Sequence, residues 1–165
     1  MHDIFISYRQ DDTAGWAPML REALVARFGA DRVYLDKDNL GAGHWQAQIH
    51  DVLARSKVVL VLIGPRWLAT RAADGQRRLD QPDDVHRWEI ARALSTAGVT
   101  VIPVLVGRAT MPVADALPAD IRALAATQWR ELDDSAGRRE VDLARLVADI
   151  ELAAGIAARL STARS

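Results

Sequence analysis

Lys57-Val58-Val59-Leu60-Val61-Leu62-Ile63 is an unbroken apolar run behind one lysine, closed by Gly64-Pro65. Valine, leucine and isoleucine at every position leave no polar face, so a strand here needs cover on both sides. Such a strand belongs at the centre of a parallel sheet, and parallel neighbours are joined through crossovers, usually helices. The sequence on either side supplies them.

Toward the N-terminus, Trp45, Ile49, Val52 and Leu53 give an amphipathic helix, and Val33-Tyr34-Leu35 a short strand before it. Trp16, Leu20, Leu24 and Phe28 recur at i+4 and predict another helix, with Asp12-Thr13 as its N-cap and Gly29 as its stop. Ile4-Phe5-Ile6 reads as a first strand buried on both faces. Toward the C-terminus, Gly64-Pro65 and Trp67 lead into a polar connection from Thr70 to Pro82. It is long for a compact α/β unit, which marks it as mobile or functional. Asp83 and Asp84 are placed to cap the next helix, through Trp88, Ala91 and Leu94 to Gly98.

Val99 to Val106 is the fourth strand, and Pro103 within it calls for a bulge or a position needing no N–H. A loop with a short helix around Ile121-Leu124 follows, then a weak strand from Gln128 to Leu132. A last helix, capped by Asp134 or Ser135, presents Val141, Leu146, Val147, Ile150 and Ala154, and its pattern runs on past Ile156. The expected fold is α/β: a flavodoxin-like, doubly wound, five-stranded parallel sheet with helices on both faces. Residues 1–155 form the domain, and residues 156–165 a helix end or a linker to a missing sensor domain.

At 165 residues the chain can bury a core without staples, and it contains no cysteine, so disulfides and thiolate metal sites are excluded. A formal net charge of -1 gives no global field to attract nucleic acid or an anionic membrane. Met1-His2-Asp3 leads straight into a strand without a basic n-region, and no apolar run reaches the length of a membrane span. The expectation is a cytoplasmic protein or domain.

In sheets of this kind ligands sit beyond the carboxyl ends of the strands. Ser7-Tyr8-Arg9, the loop from Asp36 to Trp45, Trp67 and the Asp83 to Glu89 segment all fall at that rim. Glu89 can be a solvated helix residue or a carboxylate that steadies a developing cation. One such carboxylate argues against a two-carboxylate scheme and for a leaving group that is already cationic. Arg9, beside Tyr8, can grip phosphate with its guanidinium fork or pair with Asp11 or Asp12. Trp45 and Trp67 can stack on a base or pyridine ring, or simply fill core. Gly41-Ala42-Gly43 is followed by no P-loop or dinucleotide fingerprint, so flexible turn glycines are the better reading. The histidines lack metal spacing, and His86 reads as a helix-surface residue. No nucleophile elbow is present, and basic residues do not interleave with aromatics.

Asp3-Ile4-Phe5-Ile6-Ser7-Tyr8-Arg9 resembles the first-strand signature of TIR (Toll/interleukin-1 receptor) domains. Asp36 to Gly43 is similar to the family's BB loop, Val58 to Pro65 to its third strand and turn, and Asp83 to Leu94 to the helix bearing the catalytic glutamate in NAD-cleaving members. The resemblance runs from about Asp3 to Leu132 and is strongest to bacterial TIR effectors of antiphage defence. It departs from the family pattern at Gly41-Ala42-Gly43, where many members have Pro-Gly or an acidic residue, and at Val85, where active relatives often carry Trp.

The resemblance implies cleavage of NAD+ between nicotinamide and ribose, with Glu89 as the catalytic residue. It places Ser7, Tyr8, Arg9, Asp36 and Trp45, with Trp67 added from its position at the rim, around the nucleotide. NAD+ is then the substrate; no cofactor or metal is called for. The Asp36–Trp45 loop becomes pocket lid and assembly latch, through which TIR domains self-associate. The competing expectation is a non-catalytic TIR–TIR scaffold. A phosphoacceptor receiver shares the architecture but needs an aspartate ending strand three, where this chain has Gly64-Pro65.

Overall fold

Val58–Ile63, β3, is buried along its whole length and lies in the middle of a five-stranded sheet. In the computed structural model, which describes residues 2–35, 45–135 and 137–160, the other strands are β1 (Ile4–Ser7), β2 (Val33–Leu35), β4 (Thr100–Val106) and β5 (Arg130–Leu132). Their order is β2-β1-β3-β4-β5, and every pairing is parallel. The helices are α1 (Gln10–Thr13), α2 (Trp16–Phe28), α3 (Trp45–Arg55), α4 (Val85–Ser95) and α5 (Arg138–Ala154).

Alternation along the strands sends side chains to two separate cores. Ile4, Ile6, Leu60, Leu62 and Val104 meet α2 and α5 on one face. Phe5, Val59, Val61, Ile63 and Leu105 meet α3, α4 and the 3-10 segment Ala119–Ala126 on the other. This is the expected doubly wound α/β fold. Because β1 lies between β2 and β3, the chain reverses its direction of travel across the sheet after β2, and the carboxyl ends of β1 and β3 flank that switch point.

Several local expectations are corrected. Asp12 and Thr13 do not cap the first long helix: α1 ends at Thr13, and α2 starts behind Gly15 without a side-chain cap. The Asp12 carboxylate instead accepts hydrogen bonds from the backbone N–H groups of Gly64 (2.8 Å) and Arg66 (2.9 Å), tying α1 to the turn after β3. A Cβ on Gly64 would stand 2.6 and 2.7 Å from the two Asp12 oxygens, which is why a glycine is needed there.

Neither Asp134 nor Ser135 caps α5; Gly137 precedes it, and no side-chain cap bond forms. Within α5, Val141 is 51% exposed and Asp142 takes the inward position, accepting from the Asp133 amide at 3.0 Å. The helix does not continue past Ile156. It stops at Ala154, where Gly155 adopts a left-handed conformation (φ 63°), and Arg159 then exchanges hydrogen bonds with Arg27 at the end of α2. Of the two expectations for Pro103 only the bulge is set aside: β4 stays in continuous register with β3, and β5 joins β4 only from Val104 onward, past the proline. The long 70–82 connection is folded on itself by an antiparallel bridge between Arg71 and Arg77 and anchored by the buried Leu79.

Candidate active site

The amino end of α4 is held against the carboxyl end of β1 by one ion pair. Asp84 caps the helix, accepting from the Arg87 amide at 3.0 Å. Both of its oxygens also receive the Arg9 guanidinium, at 2.9 and 2.7 Å. Burial alone would raise the Asp84 carboxyl, but the hydrogen bonds and charge of Arg9, with the Arg87 amide, outweigh it and hold the group below the usual carboxylate range. Arg9 is therefore neither a surface residue nor paired with Asp11 or Asp12. It is 3% exposed, and its Nε has no hydrogen-bond partner among the described residues. A bidentate pair of this kind fixes orientation as well as distance.

One turn into α4, the helix presents a polar face to the sheet. His86 (4% exposed) and Glu89 (3%) point inward with Ile90 and Ala93. The expectation of a surface His86 is thus corrected: the ring is buried among Ser7, Trp67 and Arg9. Trp67, in the turn after β3, donates its indole N–H to His86 Nε2 at 2.8 Å. His86 Nδ1 lies 2.9 Å from Ser7 Oγ, and Ser7 Oγ in turn donates to Glu89 Oε2 in a short hydrogen bond. His86 Nδ1 and Glu89 Oε2 are 4.0 Å apart, so Ser7 mediates between them. Burial, with the Arg9 charge adding to it and Asp84 opposing, lowers the His86 pKa from 6.5 to about 3.

The structure thus brings Ser7, Arg9, Trp67 and Glu89 of the expected site into one cluster, joined by Asp84 and His86. Tyr8 lines the adjoining cavity of about 260 Å³, with Arg78, Gln81, Asp83 and Val85 also in its wall. Trp45 stands apart from the hydrogen-bonded cluster, packing its ring edge-on to Trp88 at a centroid distance of 5.4 Å. Asp36 and the rest of residues 36–44, including Gly41-Ala42-Gly43, lie outside the described residues.

A larger depression, about 910 Å³, opens at the far end of the strands between the starts of β4 and β5 and the end of α5. It contains the Arg130–Asp149 ion pair but none of the buried cluster. The smaller cavity at the switch point, by contrast, has Arg9, Asp84 and His86 of the cluster in its wall. Among the described residues no three His, Asp or Glu side chains gather to hold a metal ion, and no helix is long and apolar enough to cross a membrane.

The sequence missed His86 because a lone histidine on a helix carries no signal of direction. Its spacing with Glu89, Ile90 and Ala93 (i, i+3, i+4, i+7) does mark one face, but that face is half polar. The partnership of Arg9 with Asp84 spans 75 residues and has no local signature.

A search of curated protein sequences finds no match to this chain. Among solved structures, the chain is similar to the TIR domains of the activated Roq1 resistosome directly recognising the pathogen effector XopQ, with a TM-score of 0.63 at 14% identity over 91% of this chain and 99% of the other. It is also similar to the TIR domain of the Toll-related receptor TRR-2 from Hydra magnipapillata, with a TM-score of 0.55 at 16% identity over 92% of this chain and 99% of the other. Likeness at such low identity speaks to the fold. The family model for the TIR domain, however, matches residues 4–147 of the sequence itself. With that match spanning the sheet, α4 and most of α5, the chain belongs to the TIR domain family.

Proposed function

We propose that this TIR domain cleaves NAD+ at the bond between nicotinamide and ribose, with Glu89 as the catalytic carboxylate. The observation that carries the reading is a buried glutamate, hydrogen-bonded by Ser7, at the switch point of a doubly wound sheet. The C–N bond breaks with its electron pair going to the pyridine nitrogen, so a cationic pyridinium leaves as neutral nicotinamide and no general acid is needed. Positive charge collects on the ribose, and an anion preorganised beside it lowers that barrier. Water adds to the ribose carbon and loses a proton to give ADP-ribose; capture by a group of the same molecule gives a cyclic isomer instead. Tyr8 and Arg9, with Asp36 and Trp45, are the residues proposed to line the nucleotide.

Self-association of TIR domains through the Asp36–Trp45 loop is the proposed activating event, in a cytoplasmic effector of bacterial antiphage defence. The test is nicotinamide release by concentrated protein supplied with NAD+. Glu89→Gln keeps the side-chain shape and is expected to cut the rate by about a hundredfold or more. Equal rates in the two proteins would remove the reading. A second reading, a TIR–TIR scaffold without turnover, is favoured by the 3% exposure of Glu89, which also suits a structural role. It predicts that Glu89→Gln weakens folding or assembly while no nicotinamide is released by either protein.

A further inference from the structure

We propose that Trp67 and His86 are positioning residues for Glu89, holding its carboxylate through Ser7 by a hydrogen-bond chain with a single self-consistent proton arrangement. Where it concerns turnover, this rests on the function proposed above; the chain itself does not.

The direction of the chain is set at its far end. An indole N–H donates and cannot accept. Trp67 Nε1 is 2.8 Å from His86 Nε2, so Nε2 presents its lone pair and carries no proton. A neutral imidazole then has its one proton on Nδ1. Nδ1 is 2.9 Å from Ser7 Oγ and donates to it. With its lone pair engaged by that donor, the Ser7 hydroxyl turns its own proton to Glu89 Oε2. Reversing any one link would set two protons or two lone pairs face to face, and Trp67 forbids reversal of the first.

The charges around the ring agree with a neutral state. Arg9 faces it from the end of β1, Asp84 and Glu89 from its own helix, and Ser7 and Trp67 complete the shell. Burial and Arg9 disfavour a second ring proton. The consequence for Glu89 is specific. Its Oε2 always receives a proton donor, which stabilises the ionised carboxylate and fixes its rotation relative to β1. A hydroxyl without this upstream donor could rotate away, and Oε2 of the carboxylate would then lose the hydrogen bond from Ser7.

The arrangement fits a chemical need. An anion that meets a developing ribose cation has to be ionised and already oriented, since reorganising it during bond cleavage would add to the barrier. His86 Nδ1 stands 4.0 Å from Glu89 Oε2, beyond hydrogen-bond reach, and Ser7 Oγ bridges the two, so the effect of Trp67 and His86 on the carboxylate passes through Ser7.

Imidazole 15N NMR of the wild-type protein tests the chain without reference to activity. His86 is expected as the Nδ1-protonated tautomer, unchanged between about pH 5 and 8. A proton found on Nε2, or an imidazolium near neutral pH, would overturn it. Steady-state kinetics test the role. Trp67→Phe removes the donor while keeping an aromatic ring, and is expected to lower kcat about tenfold with little change in KM. His86→Leu should lose about ten- to a hundredfold in kcat, and His86→Asn, which restores an N–H near the Nδ1 position, should recover most of that loss. Circular dichroism checks that each variant is folded. The expected tautomer together with wild-type kcat in Trp67→Phe and His86→Leu would overturn the positioning role. Wild-type turnover in Glu89→Gln, or none in the wild type, would instead overturn the proposed function, leaving the tautomer to decide the chain.

Discussion

Lowering the pH from about 7.5 to about 5 should destabilise this protein through His86 by about 2 kcal/mol. The ring is buried against Arg9, and its pKa falls from 6.5 to about 3 on folding. Below 6.5 the unfolded chain takes up a proton that the folded state refuses until about 3. Unfolding is then coupled to proton uptake, so stability is full above 6.5, declines through the window from 6.5 to about 3, and levels off below it. The slope is at most about 1.4 kcal/mol per pH unit, and a pH of about 5 lies roughly 1.5 units into the window. Asp84, whose carboxyl is held below 3.8, has its own linkage at more acid pH and stays out of this interval.

The assay is urea unfolding at the two pH values, on wild type and on His86→Asn. With a slope near 2 kcal/mol per molar urea, the wild-type midpoint should fall by about 1 M more than that of the variant. The other histidines are common to both proteins, so they cancel in the difference. An equal fall in both would refute the reasoning, because it would mean that His86 titrates alike in the folded and unfolded states.

Asp84→Ala strands the buried Arg9 charge and removes the α4 cap, and should cost about 3–5 kcal/mol, read as a drop in Tm on the order of 10 °C. Asp84→Asn keeps an acceptor for the Arg87 amide and should cost less. Gly64→Ala drives a methyl group into the Asp12 carboxylate and should destabilise, whereas in an Asp12→Ala background it should be tolerated. A coupling energy above about 1 kcal/mol in that double-mutant cycle is expected, and simple additivity would contradict the close approach.

The sheet was legible because its information is local. The apolar run ending at Ile63 and the i+4 stripe of α2 each announce an element without reference to anything distant. The start of α2 was not, because Asp12 has two uses open to it. A carboxylate ahead of a helix pattern reads as an N-cap, yet here two backbone N–H groups more than fifty residues on compete for it and win. Val141 and Asp142 show the same limit. Apolar periodicity put Val141 inward, but the Asp133 amide offered Asp142 a partner, and the polar residue took the buried place.

At the site, the rim constellation followed from topology, since whatever ends a parallel strand meets whatever begins the next helix. The hydrogen bonds from Trp67 to Glu89 did not, because each depends on orientation rather than on residue type. The family resemblance supplied Glu89 and was silent on His86, which tops the same buried face of α4.

An apolar helix can settle on a sheet early and loosely, then adjust. α4 has no such latitude. Sinking His86 and Glu89 into the interior before Ser7, Arg9 and Trp67 stand ready would desolvate polar groups with nothing to receive them, at a cost of several kcal/mol. A shift of α4 by one turn along the sheet would break the whole set together. β1, β3 and the turn after β3 are therefore expected to act as a template over which α4 closes late in folding. Ala93→Gly, in the buried face of α4, should accordingly speed unfolding while leaving the folding rate nearly unchanged, as stopped-flow measurements would read.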